Sequence, residues 1–310
     1  QTSLLMLKNG DADLTTVSVA DLGQIEGSPG IKVMKNLPST WLMKINFIMD
    51  IDGGSSYIGS GKMDENGIPP NFFSDIDLRK AFQYSFDWDI FINEVFLGAA
   101  QKPYGPVLVG FPTANPANPQ YSRDAQKAEQ LFKKAWGGEL WKKGFTMTAV
   151  YSSGSSHRQR ALEILKMNIE ALNPKFHIEL ASLPWAGYVG AINNRQLPLS
   201  LFGILPDVFD PYYPLFEHMH SAGGYAEWGG YIELAKREFD PLINELGSNY
   251  DPERREEISV KLQKMDYDNS LSIHHFQAVE HVAMQEYVQG YYPGAFPNNL
   301  DFYALYKANN

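Results

Sequence analysis

The chain has 310 residues, 26 Lys and Arg against 36 Asp and Glu, a net charge of −10 and no cysteine. At roughly 150 residues per domain this length suggests about two domains. Hydrophobic content of 44% against 20% charge supports buried cores rather than disorder. The acidic balance argues against a surface built for nucleic-acid backbones or anionic lipid, and the missing cysteines exclude disulfides, thiol nucleophiles and thiolate metal sites. No apolar run reaches the ~18 residues that a membrane-spanning helix needs.

In chain order, Ser3–Lys8 and Ala20–Ile25 open a short α/β stretch that ends at the turn cluster Gly27–Gly30. Ile31–Lys35 and Trp41–Met49 alternate like strands, and the glycine-rich segment 50–70 reads as a long loop. Ser74 with Asp77 predicts a capped helix to about Phe86, and Asp87 a second helix over Trp88–Leu97. Pro103–Tyr121 carries five prolines and predicts an extended, ordered loop, after which Ser122 caps a helix ending near Trp136. Phe145–Tyr151, a helix over Arg158–Leu172, Phe176–Leu183, a helix over Trp185–Asn193 and the apolar run Leu197–Leu205 form an alternating succession. That order implies a mixed α/β domain with buried strands. Segment 206–230 is rich in turn residues, Asp251-Pro252 starts a helix to about Tyr267, and Ser272–Val279 and His281–Val288 close the chain as strands.

A screen for reactive groups finds no complete motif. His218 and His220 share one face of an extended segment and His274-His275 are adjacent, yet neither pair has further ligands at a metal-binding spacing. Gly59–Lys62 resembles the end of a phosphate-binding loop, but Ser56 and Met63 stand where Gly and Ser or Thr are required. Asp50–Gly53 begins like a calcium loop without its later ligands. Ser155 and Ser156 beside His157 lack the spacing of a catalytic triad, and paired acids such as Asp207 and Asp210 would suit a glycoside hydrolase, although Asp-x-x-Asp is common in turns. Neither a metal nor a cofactor is expected. More conspicuous is the aromatic supply of 17 Tyr, 18 Phe and 6 Trp, with Trp185, Tyr188, Phe209, Tyr212, Tyr213, Tyr225 and Trp228 among or near predicted loops. Most must fill cores; the remainder suit a cleft lined with stacking surfaces.

These pieces resemble the C-terminal part of family 5 extracellular solute-binding proteins, the dipeptide and oligopeptide receptors of ABC importers. The resemblance rests on Leu7–Leu22 (LKNGDADLTTVSVADL), on Asp77–Asp87 (DLRKAFQYSFD) with Leu97–Ala100 and Pro103–Pro112, on Tyr121–Trp136, and on Gly203–Tyr213 (GILPDVFDPYY) with Glu238–Asp240 beyond it. It implies an α/β, periplasmic-binding-protein-like fold (type II, two-lobed), with one mixed lobe nearly complete and part of the other. Residues 1–72 and 286–310 would belong to the first lobe, 73–285 to the second, and Trp41–Met49 and Glu286–Tyr292 to the hinge. Family members are longer, so the chain is expected to be a fragment whose signal peptide, and any lipid anchor, lie upstream of Gln1.

The resemblance also implies a ligand and a partner. Asp207 aligns with the aspartate that pairs with a peptide α-ammonium, and Gly203, Ile204 and Leu205 offer backbone to an extended ligand. Tyr151, Trp185, Phe209, Tyr212, Trp228 and Trp41 are candidate contacts. Ile204 replaces the family's tryptophan, and Leu199–Tyr213 contains no Lys or Arg for a peptide carboxylate. The turn Tyr151–Ser156 lacks the arginine of dipeptide binders as well, so strict dipeptide specificity is not expected. Oligopeptide and oligosaccharide both remain as ligand classes. The implied partners are the permease subunits of an ABC importer, with an extracytoplasmic location and no enzymatic activity.

Overall fold

The two predicted strands at 31–35 and 41–49 are one. In a computed structural model, which describes residues 2–292 and 302–308, β2 runs unbroken from Ile31 to Phe47. Likewise the two strands expected at the end of the chain fuse into β8, Ser272–Gln285. In chain order the strands are β1 Leu14–Thr16, β2, β3 Gly59–Asp64, β4 Ala100–Gln101, β5 Phe145–Ser152, β6 Phe176–Leu183, β7 Leu199–Ile204, β8, β9 Val288–Gln289 and β10 Tyr306–Lys307. The main sheet has the order β1-β8-β2-β7, antiparallel throughout, with β4 also paired to β8. A separate parallel pair, β5-β6, is joined by the helix Ser156–Glu170. Parallel strands require such a crossover, and their inner faces are correspondingly apolar.

The long strands stay intact because their two ends serve different cores. Ile31 and Ala283 pack with Leu4, Leu7, Val17 and Ile25, and Leu37 packs with Val282, Met284 and Val288. Met43, Ile45, Phe47, Ile273 and Phe276 belong instead to a large core with Phe72, Phe73, Phe82, Phe132, Phe145 and Phe176. Each buried phenyl ring contributes roughly 2–3 kcal/mol of transfer free energy. Between the two ends the β2–β8 register shifts, first between Met34 and Leu37 and again between Pro38 and Leu42. Such bulges bend and twist a ladder locally.

Helix starts obey the N-cap rule, shifted by one or two residues from expectation. Asp75, not Ser74, caps the helix Ile76–Ser85: its Oδ1 accepts from Leu78 N at 3.0 Å and its Oδ2 from Trp136 N at 2.8 Å. Both residues are good caps, and the second, distant bond decides between them. Asp124 similarly replaces Ser122 ahead of Ala125–Lys134. The helix expected over Trp88–Leu97 is a single α turn, Trp88–Ile90, continued by a π turn over Phe91–Val95. The turn-rich segment 206–230 contains helices Tyr212–Met219 and Gly224–Gly229, and the 50–70 loop contains β3. Ser3–Lys8 lies in the helix Thr2–Asn9. Of the expected return segment 286–310, residues 293–301, 309 and 310 lie outside the described part. Among the described residues no helix is long and apolar enough to cross a membrane.

Candidate ligand-binding site

The candidate residues gather around the end of β7, which has β2 as its strand partner on one side and no strand beyond it among the described residues. The Tyr188 hydroxyl accepts from Leu201 N at 2.7 Å and donates to Leu201 O at 3.3 Å, so the polar groups of Leu201 point away from β2. Strand periodicity turns those of Gly203, two residues on, the same way. Burial pushes the Tyr188 hydroxyl up to about 12, opposed by the Leu201 backbone and by Arg158. A Cβ on Gly203 would lie 2.5 Å from Met43 Sδ, 2.6 Å from Leu42 O and 2.9 Å from Trp41 Nε1. Only glycine therefore lets the half-exposed Trp41 indole lie against this edge.

Beside the edge stands an aromatic wall. Phe202 stacks on Trp185 with centroids 5.9 Å apart and planes 11° apart, and meets Trp228 edge-on at 5.3 Å. Trp185 is 50% exposed, with the Arg158 guanidinium 5.1 Å from its ring centre. The remaining candidates divide by burial. Tyr188 and Tyr225 are core residues. The Ile204 side chain is buried beside Leu42 and Leu215, so of this candidate only the backbone can reach a ligand. Tyr151 is half-buried against the large core, and Tyr212 packs on Phe216 at 5.5 Å. Leu205, Val208 and Phe209 are exposed around Asp207, with Phe209 resting on Phe111 at 4.4 Å. Sequence reasoning missed Phe202; only its place in the alternation of an edge strand distinguishes it from its buried neighbours.

The two aspartates of the segment separate in role. Both oxygens of Asp210 accept from Arg255 Nη2 at 2.7 Å, and Oδ1 also accepts from Tyr212 N at 2.8 Å. Asp210 is therefore a helix-capping ion pair, unfit for general acid or base work. Asp207 is exposed beside Tyr213, whose hydroxyl is pushed up first by burial and then by the charges of Glu217 and Asp207. The two carboxylates of the expected acid pair thus have different partners, Asp210 bound to Arg255 and Asp207 beside Tyr213.

Two histidines that look unrelated in sequence meet inside the fold. His218 Nε2 and His274 Nε2 each lie 2.8 Å from one oxygen of Asp266, while Lys44 Nζ lies 2.7 Å from His218 Nδ1 and 3.3 Å from the Tyr225 ring centre. A carboxylate only accepts and an ammonium only donates. The chain must therefore run from Lys44 through His218 to Asp266, with His274 donating from the other side. Burial pushes the Lys44 ammonium well below its ordinary range, and burial with the Lys44 charge pushes His218 down to about 3. The ligand atoms of His218, Asp266 and His274 lie within 4.8 Å of one another, the spacing of a metal centre. The nitrogens that face one another are spent on Asp266 and Lys44, while His274 Nδ1 is buried without a partner.

A cavity of about 500 Å³ lies between Thr16–Ala20 on one side and Val95, Phe96, Ala99, Ser156 and His157 on the other, floored by Val279–His281 of β8. Its floor faces the stretch of β2 where the register shifts.

A profile of bacterial extracellular solute-binding proteins, family 5 middle, matches residues 1–226. A probable D,D-dipeptide-binding periplasmic protein, DdpA of Escherichia coli strain K12, is 21% identical over 215 residues, which are 69% of this chain and 40% of that protein. Among solved structures, the substrate-binding protein CtaP of Listeria monocytogenes superposes with a TM-score of 0.78 at 16% identity, over 99% of this chain and 58% of that one. The periplasmic binding protein DppA of Helicobacter pylori, in complex with the peptide STSA, gives 0.74 at 18% identity, over 99% and 55%. The chain thus has the mixed α/β fold of these binding proteins and spans little more than half the length of these solved relatives. With the family profile matched over most of its length, the chain belongs to the bacterial extracellular solute-binding proteins, family 5, a family of receptors rather than enzymes.

Proposed function

We propose that this chain forms the ligand-holding part of an extracytoplasmic receptor that captures oligopeptides and passes them to the permease of an ABC importer. The observation that carries the reading is the outer edge of β7 at Gly203, unpaired among the described residues, overlain by Trp41 and continued by the exposed Leu205, Asp207, Val208 and Phe209. An extended peptide recovers its backbone hydrogen bonds by adding to such an edge, with alternate side chains meeting Trp41 and the Trp185 wall. Asp207 supplies the anion that a peptide ammonium needs when drawn out of water. DdpA is named for dipeptide binding and DppA was solved with a peptide, in keeping with that chemistry.

The two lobes meet along β2 and β8. We place the crossing at Leu37–Thr40 and Val279–His281, where the register shifts and the 500 Å³ cavity opens, rather than at Trp41–Met49 and Glu286–Tyr292. Residues 48–72 then go with the second lobe, because Ile48, Ile51, Ile58, Ile68 and Phe72 share the large core with Phe82 and Phe145. Among the described residues, the first lobe here comprises those before about 40 and after about 280. Calorimetric titration with a pool of tri- to pentapeptides and a pool of oligosaccharides tests the ligand class. Saturable heat with peptides alone is expected; heat with sugars alone assigns the aromatic wall to carbohydrate and ends the peptide reading.

A further inference from the structure

We propose that His218, Asp266 and His274 form a binding site for a divalent transition-metal ion, with zinc the best match to the three side chains. The inference is independent of the ligand that the aromatic wall and the β7 edge receive. No spacing in the sequence announces such a site, because its members come from three separate elements. His218 lies in the helix Tyr212–Met219, Asp266 in the helix Pro252–Asn269 and His274 in β8. The fold brings one ligand atom from each to within 4.8 Å of the others. His218 and Asp266 are buried, and the His274 side chain is 10% exposed.

Two imidazole nitrogens and a carboxylate oxygen are a three-ligand set that zinc accepts, with a fourth position left for water. Hydrogen bonds and an ion use the same point in different ways: each imidazole gives Asp266 a proton, or gives the ion a lone pair. The two rings address different oxygens of Asp266, each at 2.8 Å, so the carboxylate already aims both nitrogens inward. Lys44 is the outer partner, with Nζ 2.7 Å from His218 Nδ1. A dication repels the enclosed ammonium, which passes a proton to Nδ1 while the proton on His218 Nε2 leaves to solvent. The neutral amine then accepts from Nδ1–H, the outer contact that a ligating histidine ordinarily makes. His274 ligates through Nε2 once its proton moves to Nδ1. The balance is one proton released for each ion bound.

Access comes from the His274 side. A cavity of about 40 Å³ is lined by Asp266, Ser272 and His274, with Gln83 and Gln263 beside them. At ~10–15 Å³ for each water, that space takes an ion's water ligands and little more. It is far below the roughly 300 Å³ that an organic ligand needs. Ser272 and His274 stand two residues apart on β8 and share a face. Ser272 Oγ and His274 Nδ1 are both buried without a hydrogen-bond partner. Buried polar atoms are seldom left so, and water held by an ion in this cavity would pair with both.

The test titrates the full chain, stripped with a chelator, with zinc chloride near neutral pH and follows the heat. One zinc per chain with a Kd below about 100 μM is expected. His274→Gln should weaken binding at least tenfold, since losing even an outer partner of a metal ligand costs about 10–100-fold. His177→Gln, at an exposed histidine outside the cluster, should leave the affinity unchanged. Weaker or no saturable binding by the wild type overturns the site. So does binding that survives His274→Gln or is lost with His177→Gln. If His274→Gln does not fold, crystals of the wild-type chain grown with zinc chloride decide the matter. An anomalous peak at the zinc edge between His218, Asp266 and His274 upholds the site. A peak elsewhere alone, which marks an adventitious ion only, or no peak at all overturns it.

Discussion

Lys44 and Arg158 are both enclosed by the fold, yet Lys44 meets a histidine, an aromatic ring and, through the histidine, a carboxylate, whereas Arg158 meets one serine hydroxyl and two aromatic faces. A buried charge whose partners all come from the same chain is structural, since removing any member strands the others. A buried charge with a single hydroxyl and two rings around it has fewer bonds to lose. The contrast separates a closed network from an open one.

The largest expected effect falls on the closed network. Asp266→Asn removes the anion that both histidines address and should cost about 3–5 kcal/mol in chemical denaturation. Arg158→Met should cost under about 1.5 kcal/mol, because it strands a single hydroxyl. Comparable losses for the two would erase the distinction.

Acid should act through this network at His218 and, outside it, through His157. His218 is held down to about 3 and His157 down to about 4, the latter by burial and then by Arg158. Both groups lie below the ordinary ~6.5, so the unfolded chain takes up protons that the folded chain refuses. The stability they confer is complete above pH ~6.5 and is lost as pH falls toward 4, by roughly 1.4 kcal/mol per unit per histidine. Denaturant midpoints measured from pH 8 to pH 4.5 should fall in this way, and His218→Gln should flatten the slope. A midpoint that rises on acidification contradicts the assignment.

Effects at the open region should be smaller in stability and larger in binding. Gly203→Ala forces a methyl against Met43, Leu42 and Trp41, costing about 1–3 kcal/mol, and should abolish peptide heat by displacing the indole. Trp185→Ala removes a stacking face worth about 1 kcal/mol, or roughly fivefold in affinity. Asp207→Ala, at an exposed site, should change stability by less than about 0.5 kcal/mol. It should still weaken free-amine peptides relative to N-acetylated ones. Equal loss for both peptide types would end the ammonium-anchor role.

Most of the fold is legible in the sequence because its signals are local. Phe176–Leu183 and Trp185–Asn193 appear within their expected bounds, since alternation and proline punctuation specify them without help from distant residues. β2 reads as two halves because Asn36 and the Pro38–Thr40 stretch look like interruptions; continuity comes from the β8 ladder, invisible along the chain. Among the candidate residues, Gly203 lies against Trp41, and Trp185 and Trp228 both meet Phe202. Arg158 is hidden inside an amphipathic helix, where an arginine ordinarily faces water. Its burial, like the meeting of His218 with His274 across Asp266, depends on tertiary contacts that no spacing rule encodes.

The central claim is that the free edge of β7 pairs with a peptide backbone. Site-resolved amide exchange at Gly203, with and without a saturating tri- to pentapeptide pool, tests it directly. Exchange at Gly203 should slow by about tenfold or more with peptides and stay unchanged with oligosaccharides. Peptide binding that leaves Gly203 unprotected, or protection by sugars alone, would contradict the account.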